Sequence, residues 1–224
     1  MKLLAAGCSL IYGSELSDEI EHNQPSQLTY PALLAKHKNL EYKCVAKPAN
    51  GNDAIARSII KELDDTILLV VVNWSYLGRF EFNLSDWGWQ NFKSLIIHPA
   101  IADRVNVLRK YFMAESTPAY EHYKYLYEIV FLQNYLKARN IPYIFSTADY
   151  NAIDYNIISQ LDPEHINLWK AIDFDQWFHW QAYERRVGFL DWARACMIPT
   201  GPNGHPLEQA HEMTFQIIKD RKNI

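Results

Sequence analysis

Near the start of the chain an apolar run, Leu3-Leu4-Ala5-Ala6, ends at Gly7; Ser9 follows, then Gly13. A short run without polar alternation is the pattern of a strand covered on both faces. Thr66 to Val72 repeats it more strongly, with Ile-Leu-Leu-Val-Val-Val after the threonine. Strands of this kind need a layer of helices on each side, which restricts the chain to a layered α/β architecture.

The rest of the sequence supplies those layers. Glu41 to Ala46 and Pro142 to Ser146 read as further strands. Thr29 is placed to cap a helix with Pro31 in its first turn and Leu33-Leu34 on its buried face. Ile55, Ile59, Ile60 and Leu63 recur at helical spacing, with Asn52 or Asp53 as the cap. Pro118 opens a long helix to about Arg139, whose Tyr120, Tyr123, Tyr127, Val130, Phe131 and Leu136 form an expected apolar stripe. A last helix follows Pro206, with Leu207, Met213, Ile217 and Ile218 expected to face inward. The alternation predicts a three-layer α/β/α sandwich with a mostly parallel sheet, in one domain over residues 1–224. Residues 83–140 and 151–198 are expected to be insertions, aromatic-rich, helical and lid-forming. Within them, 83–98 reads as an irregular loop and 99–113 as a helix.

Bulk properties narrow the function. A net charge of −4 offers no field for a polyanion, so nucleic acid is not an expected partner. The three cysteines, Cys8, Cys44 and Cys196, fit neither a disulfide framework nor a zinc pattern, and point to a reducing, cytoplasmic setting. No stretch reads as a membrane span. Histidines are scattered, and Asp173, Asp175 and His179 are loosely spaced for ligands on one helix, so neither metal nor cofactor is expected. Aromatic residues are abundant, with 7 Trp, 14 Tyr and 10 Phe. Trp87, Trp89, Trp177 and Trp180 could line a lid or a sugar-stacking wall, or pack the core.

In an open α/β sheet, ligands bind beyond the carboxyl ends of the strands. The first three strands deliver Ser9, the loop Ala49-Asn50-Gly51-Asn52 and the segment Asn73-Trp74-Ser75 to that edge. Ser9 is a candidate nucleophile, and an alcohol needs a base within hydrogen-bond reach. His205, bracketed by Gly204 and Pro206 in the loop Pro199–Pro206, is the candidate base.

These residues resemble the SGNH/GDSL hydrolases. Gly7-Cys8-Ser9-Leu10 is similar to that family's glycine–x–serine block, and Gly204-His205-Pro206 with His211 to its final block. Asn52-Asp53-Ala54-Ile55-Ala56-Arg57, and Asn73-Trp74-Ser75 with Arg79 and Glu81, are similar to segments of a divergent branch associated largely with bacteriophages. The resemblance implies an SGNH-hydrolase or flavodoxin-like sandwich. It implies Ser9 as nucleophile and His205 as general base toward a small ester, such as an acyl or acetyl group on a lipid or glycan. The oxyanion hole it implies combines the Ser9 N–H, an N–H between Ala49 and Gly51, and a donor from Asn73 or Ser75, with Asn52 and Arg79 beside the substrate. The chain departs from the family pattern in four places. Ala49 stands where a glycine is usual, Ser75 is nearest the family's asparagine, Ala210 precedes His211, and Asn203 occupies the place of the triad aspartate. An asparagine orients an imidazole without offering a full charge; Asp53 and Glu208 are carboxylates that could reach His205 instead. Asn203 also supports a second expectation, a weakened binding or virion-assembly protein on the same scaffold, with exposed aromatics forming a homo-oligomer interface.

Overall fold

The computed structural model describes residues 1–19, 23–86, 88–91 and 99–222. In chain order, β1 (Lys2–Ala6) leads into the single turn α1 (Ser9–Tyr12), then α2 (Tyr30–His37), β2 (Glu41–Cys44), α3 (Asn52–Glu62) and β3 (Ile67–Trp74). A hairpin follows, β4 (Glu81–Leu84) and β5 (Gly88–Asn91), before α4 (Ala102–Glu115), α5 (Pro118–Ala138) and β6 (Tyr143–Thr147). The remainder is α6 (Tyr155–Ile158), α7 (Pro163–Lys170), the hairpin β7 (Trp180–Ala182) and β8 (Arg185–Val187), α8 (Phe189–Ala195) and α9 (Glu208–Lys222).

The central sheet has the order β2-β1-β3-β6, with every neighbouring pair parallel. Because successive side chains alternate across a strand, each strand feeds two cores. Leu3 and Ala5 of β1, Leu69 and Val71 of β3, and Ile144 of β6 pack with Ile11, Leu34, Phe189, Trp192 and Ile218. Leu4, Ala6, Val70, Val72, Trp74 and Phe145 pack on the other face with Ile55, Ile59, Leu126, Ile129 and Leu132. Helices α1, α2, α8 and α9 thus cover one face, and α3 and α5 the other. Each fully buried leucine or isoleucine contributes about 1.5–3 kcal/mol, so the paired cores are what hold the rim loops in place.

Several local expectations change. The cap of α3 is Gly51, not Asn52 or Asp53. A Cβ there would approach the Arg79 carbonyl oxygen to 2.8 Å, so only glycine lets the two loops touch. The segment 83–98, expected to be irregular, includes most of the β4–β5 hairpin; Trp87 and Phe92 lie outside the described residues. Helix α5 buries His122, Tyr125, Leu126, Ile129, Leu132, Gln133 and Leu136. Tyr120, Tyr123, Tyr127 and Phe131, expected to face inward, are exposed. The buried set lies on the flank against the sheet and α7, while the aromatics stack on one another along the outside, Tyr123 on Tyr127 and Tyr127 on Phe131. Likewise α9 buries Ala210, His211, Thr214 and Ile218 and leaves Met213 exposed. Trp177 and Trp180 are core residues, 4% and 1% exposed, and form no wall over a site. Trp89 is half exposed, under the Arg57 guanidinium at 4.3 Å.

Candidate functional site

The tight β1–α1 turn places Ser9. Gly7 is required there, because a Cβ would meet Ile11 Cγ1 at 2.6 Å and the Asn73 carbonyl oxygen at 3.1 Å. Cys8 caps the turn, and its carbonyl oxygen accepts from the N–H groups of Ile11 and Tyr12. Ser9 occupies the first helical position, where an N–H has no acceptor within the helix. Gly13 ends the turn in the left-handed region at φ 81°, packed so closely on Ser26 and Thr29 that no side chain would fit.

Two neighbouring loops are fastened to this turn by amides. Asn50 Nδ2 donates to the Gly7 carbonyl oxygen at 3.2 Å, and the preceding Ala49 has a left-handed φ of 63°. The buried Asn52 accepts from Ser75 N–H at 2.8 Å and donates to the Tyr76 carbonyl oxygen, which pins the end of β3. Arg79 donates to Ser75 Oγ at 2.9 Å and lies over the Tyr76 ring. The Ser75 hydroxyl therefore keeps its own proton to donate. Asn73 is different. It is fully buried and its Nδ2 donates to Ser146 Oγ at 2.9 Å, so its amide serves the sheet and not the rim. Asn50 N–H is also occupied, by the Lys47 carbonyl oxygen. Among the described residues no acceptor meets the Gly51 N–H.

The last loop closes over the segment that follows α1. It is a narrow turn: Gly201 N–H donates to the His205 carbonyl oxygen at 2.8 Å, and Gly204 adopts φ 83°. Glu15 fills it. His205 Nδ1 meets Glu15 Oε2 at 2.7 Å, and His205 N–H donates to the same oxygen at 3.1 Å. Asn203 donates twice to Oε1, from its N–H at 2.7 Å and from Nδ2 at 3.1 Å. Glu15 itself has φ 72°, a backbone conformation uncommon outside glycine. Burial raises the Glu15 carboxyl pKa, but the Asn203 N–H and the His205 ring and N–H outweigh it, so it is held below the usual carboxylate value. Gly201 lies against the Glu15 side chain with no room for a Cβ.

Asn203 thus bonds to Glu15 and not to the imidazole it was expected to orient. Asp53 and Glu208 do not reach His205 either: Asp53 pairs with Lys124 and Glu208 accepts from Ser17 N–H. In the sequence Glu15 is one of four acids between residues 14 and 28, with Asp18, Glu19 and Glu21, and nothing in its spacing singles it out. A carboxylate accepts only, so Nδ1 carries a proton, and in the neutral tautomer of this ring the lone pair is on Nε2. Among the described residues neither His205 Nε2 nor Ser9 Oγ makes a hydrogen bond. Nucleophile–base contacts often tighten only in the substrate complex.

His211, the other histidine of the final block, is 1% exposed, and its Nδ1 accepts from Tyr30 N–H. Burial pushes its pKa down to about 3 despite the nearby Glu208 charge, so it is a neutral packing residue. Asp173, one of the loosely spaced acids, pairs with Lys137 at 2.6 Å. Ligand atoms of Asp162, Glu164 and His165 lie within 4.8 Å of one another at the start of α7, and His165 Nε2 is bonded to the Ala119 carbonyl oxygen.

No protein-family profile and no curated protein sequence matches the chain. Solved structures do. An acetyl xylan esterase, Est2A from Butyrivibrio proteoclasticus, is similar over 99% of this chain at 13% identity and a TM-score of 0.50. This chain spans 64% of that protein's length. The esterase EstA from a Pseudoalteromonas species covers 99% of this chain, with 96% of its own length matched, at 10% identity and a TM-score of 0.51. A protein of the G-D-S-L family from Desulfitobacterium hafniense DCB-2 matches over 98% of both chains at 10% identity and a TM-score of 0.51. Among the described residues no helix is long and apolar enough to cross a membrane. The parallel sheet with helices on both faces is the α/β/α fold shared with EstA and with the G-D-S-L-family protein.

Proposed function

We propose that the chain hydrolyses a small ester, with Ser9 as nucleophile and His205 as general base. Ser9 Oγ attacks the ester carbonyl carbon and its proton passes to His205 Nε2. The alcohol then leaves with that proton, and water releases the acid from the acyl-serine by the same relay. The Ser9 and Gly51 N–H groups and the Ser75 hydroxyl are the donors for the oxyanion. Donors of this kind are each worth about 3–4 kcal/mol in other enzymes. An acyl or acetyl group on a lipid or glycan is the substrate class in keeping with the fold neighbours, which include an acetyl xylan esterase.

The observation that carries this reading is the docking of the last loop. The His205 ring is fixed by Nδ1 to the segment leaving the Ser9 turn, and among the described residues its Nε2 makes no hydrogen bond. A fluorophosphonate probe tests it: the wild-type protein should acquire one adduct at Ser9, absent in Ser9→Ala, and should turn over p-nitrophenyl acetate. No adduct at Ser9 removes the proposal. A binding-only reading is favoured by the missing Ser9–His205 hydrogen bond; it predicts ligand-induced stabilisation without turnover, and wild-type turnover abolished by His205→Ala rejects it.

A further inference from the structure

We propose that Glu15 supplies the carboxylate that positions His205, from the nucleophile's own loop, in place of a residue in the final block. The inference rests on the hydrolase reading above. The four bonds Glu15 accepts leave each oxygen with two donors, all from Asn203 and His205. The final loop is therefore built around this carboxylate. Its charge persists below the usual carboxylate range, so it is an anion wherever a neutral imidazole can act as a base. Backbone strain at a functional residue persists only where its surroundings over-determine it. The left-handed φ of Glu15 is such a case, fixed by the loop that encloses it.

This placement also accounts for Asn203. A carboxylate at 203 would stand where Nδ2 now donates to Glu15 Oε1 at 3.1 Å, and two like charges would face each other. An amide is the residue that fits beside an acid already in place. During turnover the serine proton moves to His205 Nε2, Nδ1–H stays bonded to Glu15, and Glu15 remains ionised.

Glu15→Gln tests the assignment. A single amide oxygen cannot accept from four donors, so the imidazole loses its fixed tautomer. The expected result is a kcat for p-nitrophenyl acetate lower by about 10²–10⁴-fold, as for a lost triad carboxylate elsewhere, with KM changed by less than about threefold. The low-field proton resonance of an imidazole Nδ1–H held by a carboxylate should be present in the wild type and lost in the variant. Asn203→Asp should act with opposite signs, lowering kcat in the wild type and raising it at least about tenfold in the Glu15→Gln protein. A role in shape alone gives no such inversion. A folded Glu15→Gln protein with wild-type kcat overturns the inference. If that variant does not fold, Asn203→Asp alone decides: a lower kcat supports Glu15, and a higher one overturns it. Absence of a Ser9 adduct in the wild type is the separate failure of the hydrolase reading; the Nδ1–H resonance then still reports whether Glu15 holds the ring.

Discussion

His205 and His211 stand six residues apart, in the last loop and at the start of α9, and the environment gives them opposite properties. His205 keeps a quarter of its side chain exposed, 24%, and presses one nitrogen on an anion. His211 is sealed between Tyr30 and Phe189, with its Nδ1 used as a plain acceptor for a backbone N–H. The first is the proposed general base. The second is prevented from taking up a proton by the cost of burying its charge. Motif spacing assigns both to one block; what each nitrogen meets separates them.

The largest expected effect breaks the pair on activity. His205→Ala should lower kcat for p-nitrophenyl acetate by about 10²–10⁴-fold, the usual worth of a positioned general base. Its unfolding free energy should change by only about 1 kcal/mol. His211→Ala should do the reverse. Removing a buried ring and orphaning the Tyr30 N–H should cost about 2–4 kcal/mol in urea denaturation, while kcat of the folded protein stays within about threefold. Equal losses of activity at the two positions would erase the distinction.

Acid sharpens the same contrast. The folded protein takes up the His211 proton only near pH 3, whereas the unfolded chain takes it up near the ordinary histidine value of 6.5. More protons bind to the unfolded state in between, so stability falls as pH drops from about 6.5 toward 3. Glu15, whose carboxyl is lowered in the folded state, adds its own loss in the acid window below the usual carboxylate value of 4.5. Urea midpoints of wild type and His211→Phe from pH 7 to 5 should diverge, the wild type losing stability relative to the variant, because the raised Glu128 carboxyl, at about 6, contributes the same slope to both. An equally sloped variant would place the acid sensitivity elsewhere.

The layered fold was legible because it rests on apolar runs that need no tertiary context: Leu3–Ala6 and Ile67–Val72 become β1 and the body of β3. The rim loops were legible by position, but not the partners of their side chains. Asn73 was expected among the oxyanion donors, yet the β3 register turns its amide toward Ser146. On α5, Leu136 faces the core as its spacing implies, but Tyr120, Tyr123, Tyr127 and Phe131 do not, because Tyr and Phe count as apolar by composition on either flank. Tyr127 and Tyr125 differ only in which flank meets the sheet, and it is Tyr125 that reaches Thr147 through its hydroxyl at 2.7 Å. Glu15 could not be found by spacing, because its contact spans 190 residues of sequence.

The smallest expected effect is the control for His211. Met213 lies two residues further along α9, was expected to face inward, and is 37% exposed. Met213→Ser perturbs the same helix without touching the Tyr30 contact, and a surface change of this kind usually stays within about 0.5 kcal/mol. Urea denaturation of Met213→Ser beside His211→Ala then separates two explanations of the larger loss. If both variants lose the same stability, the cost at 211 comes from weakening α9 as a helix, and the buried imidazole is incidental. If Met213→Ser is near neutral, the loss belongs to the ring and the backbone N–H it satisfies. That outcome would show that a histidine can be retained beside a candidate active site for packing alone.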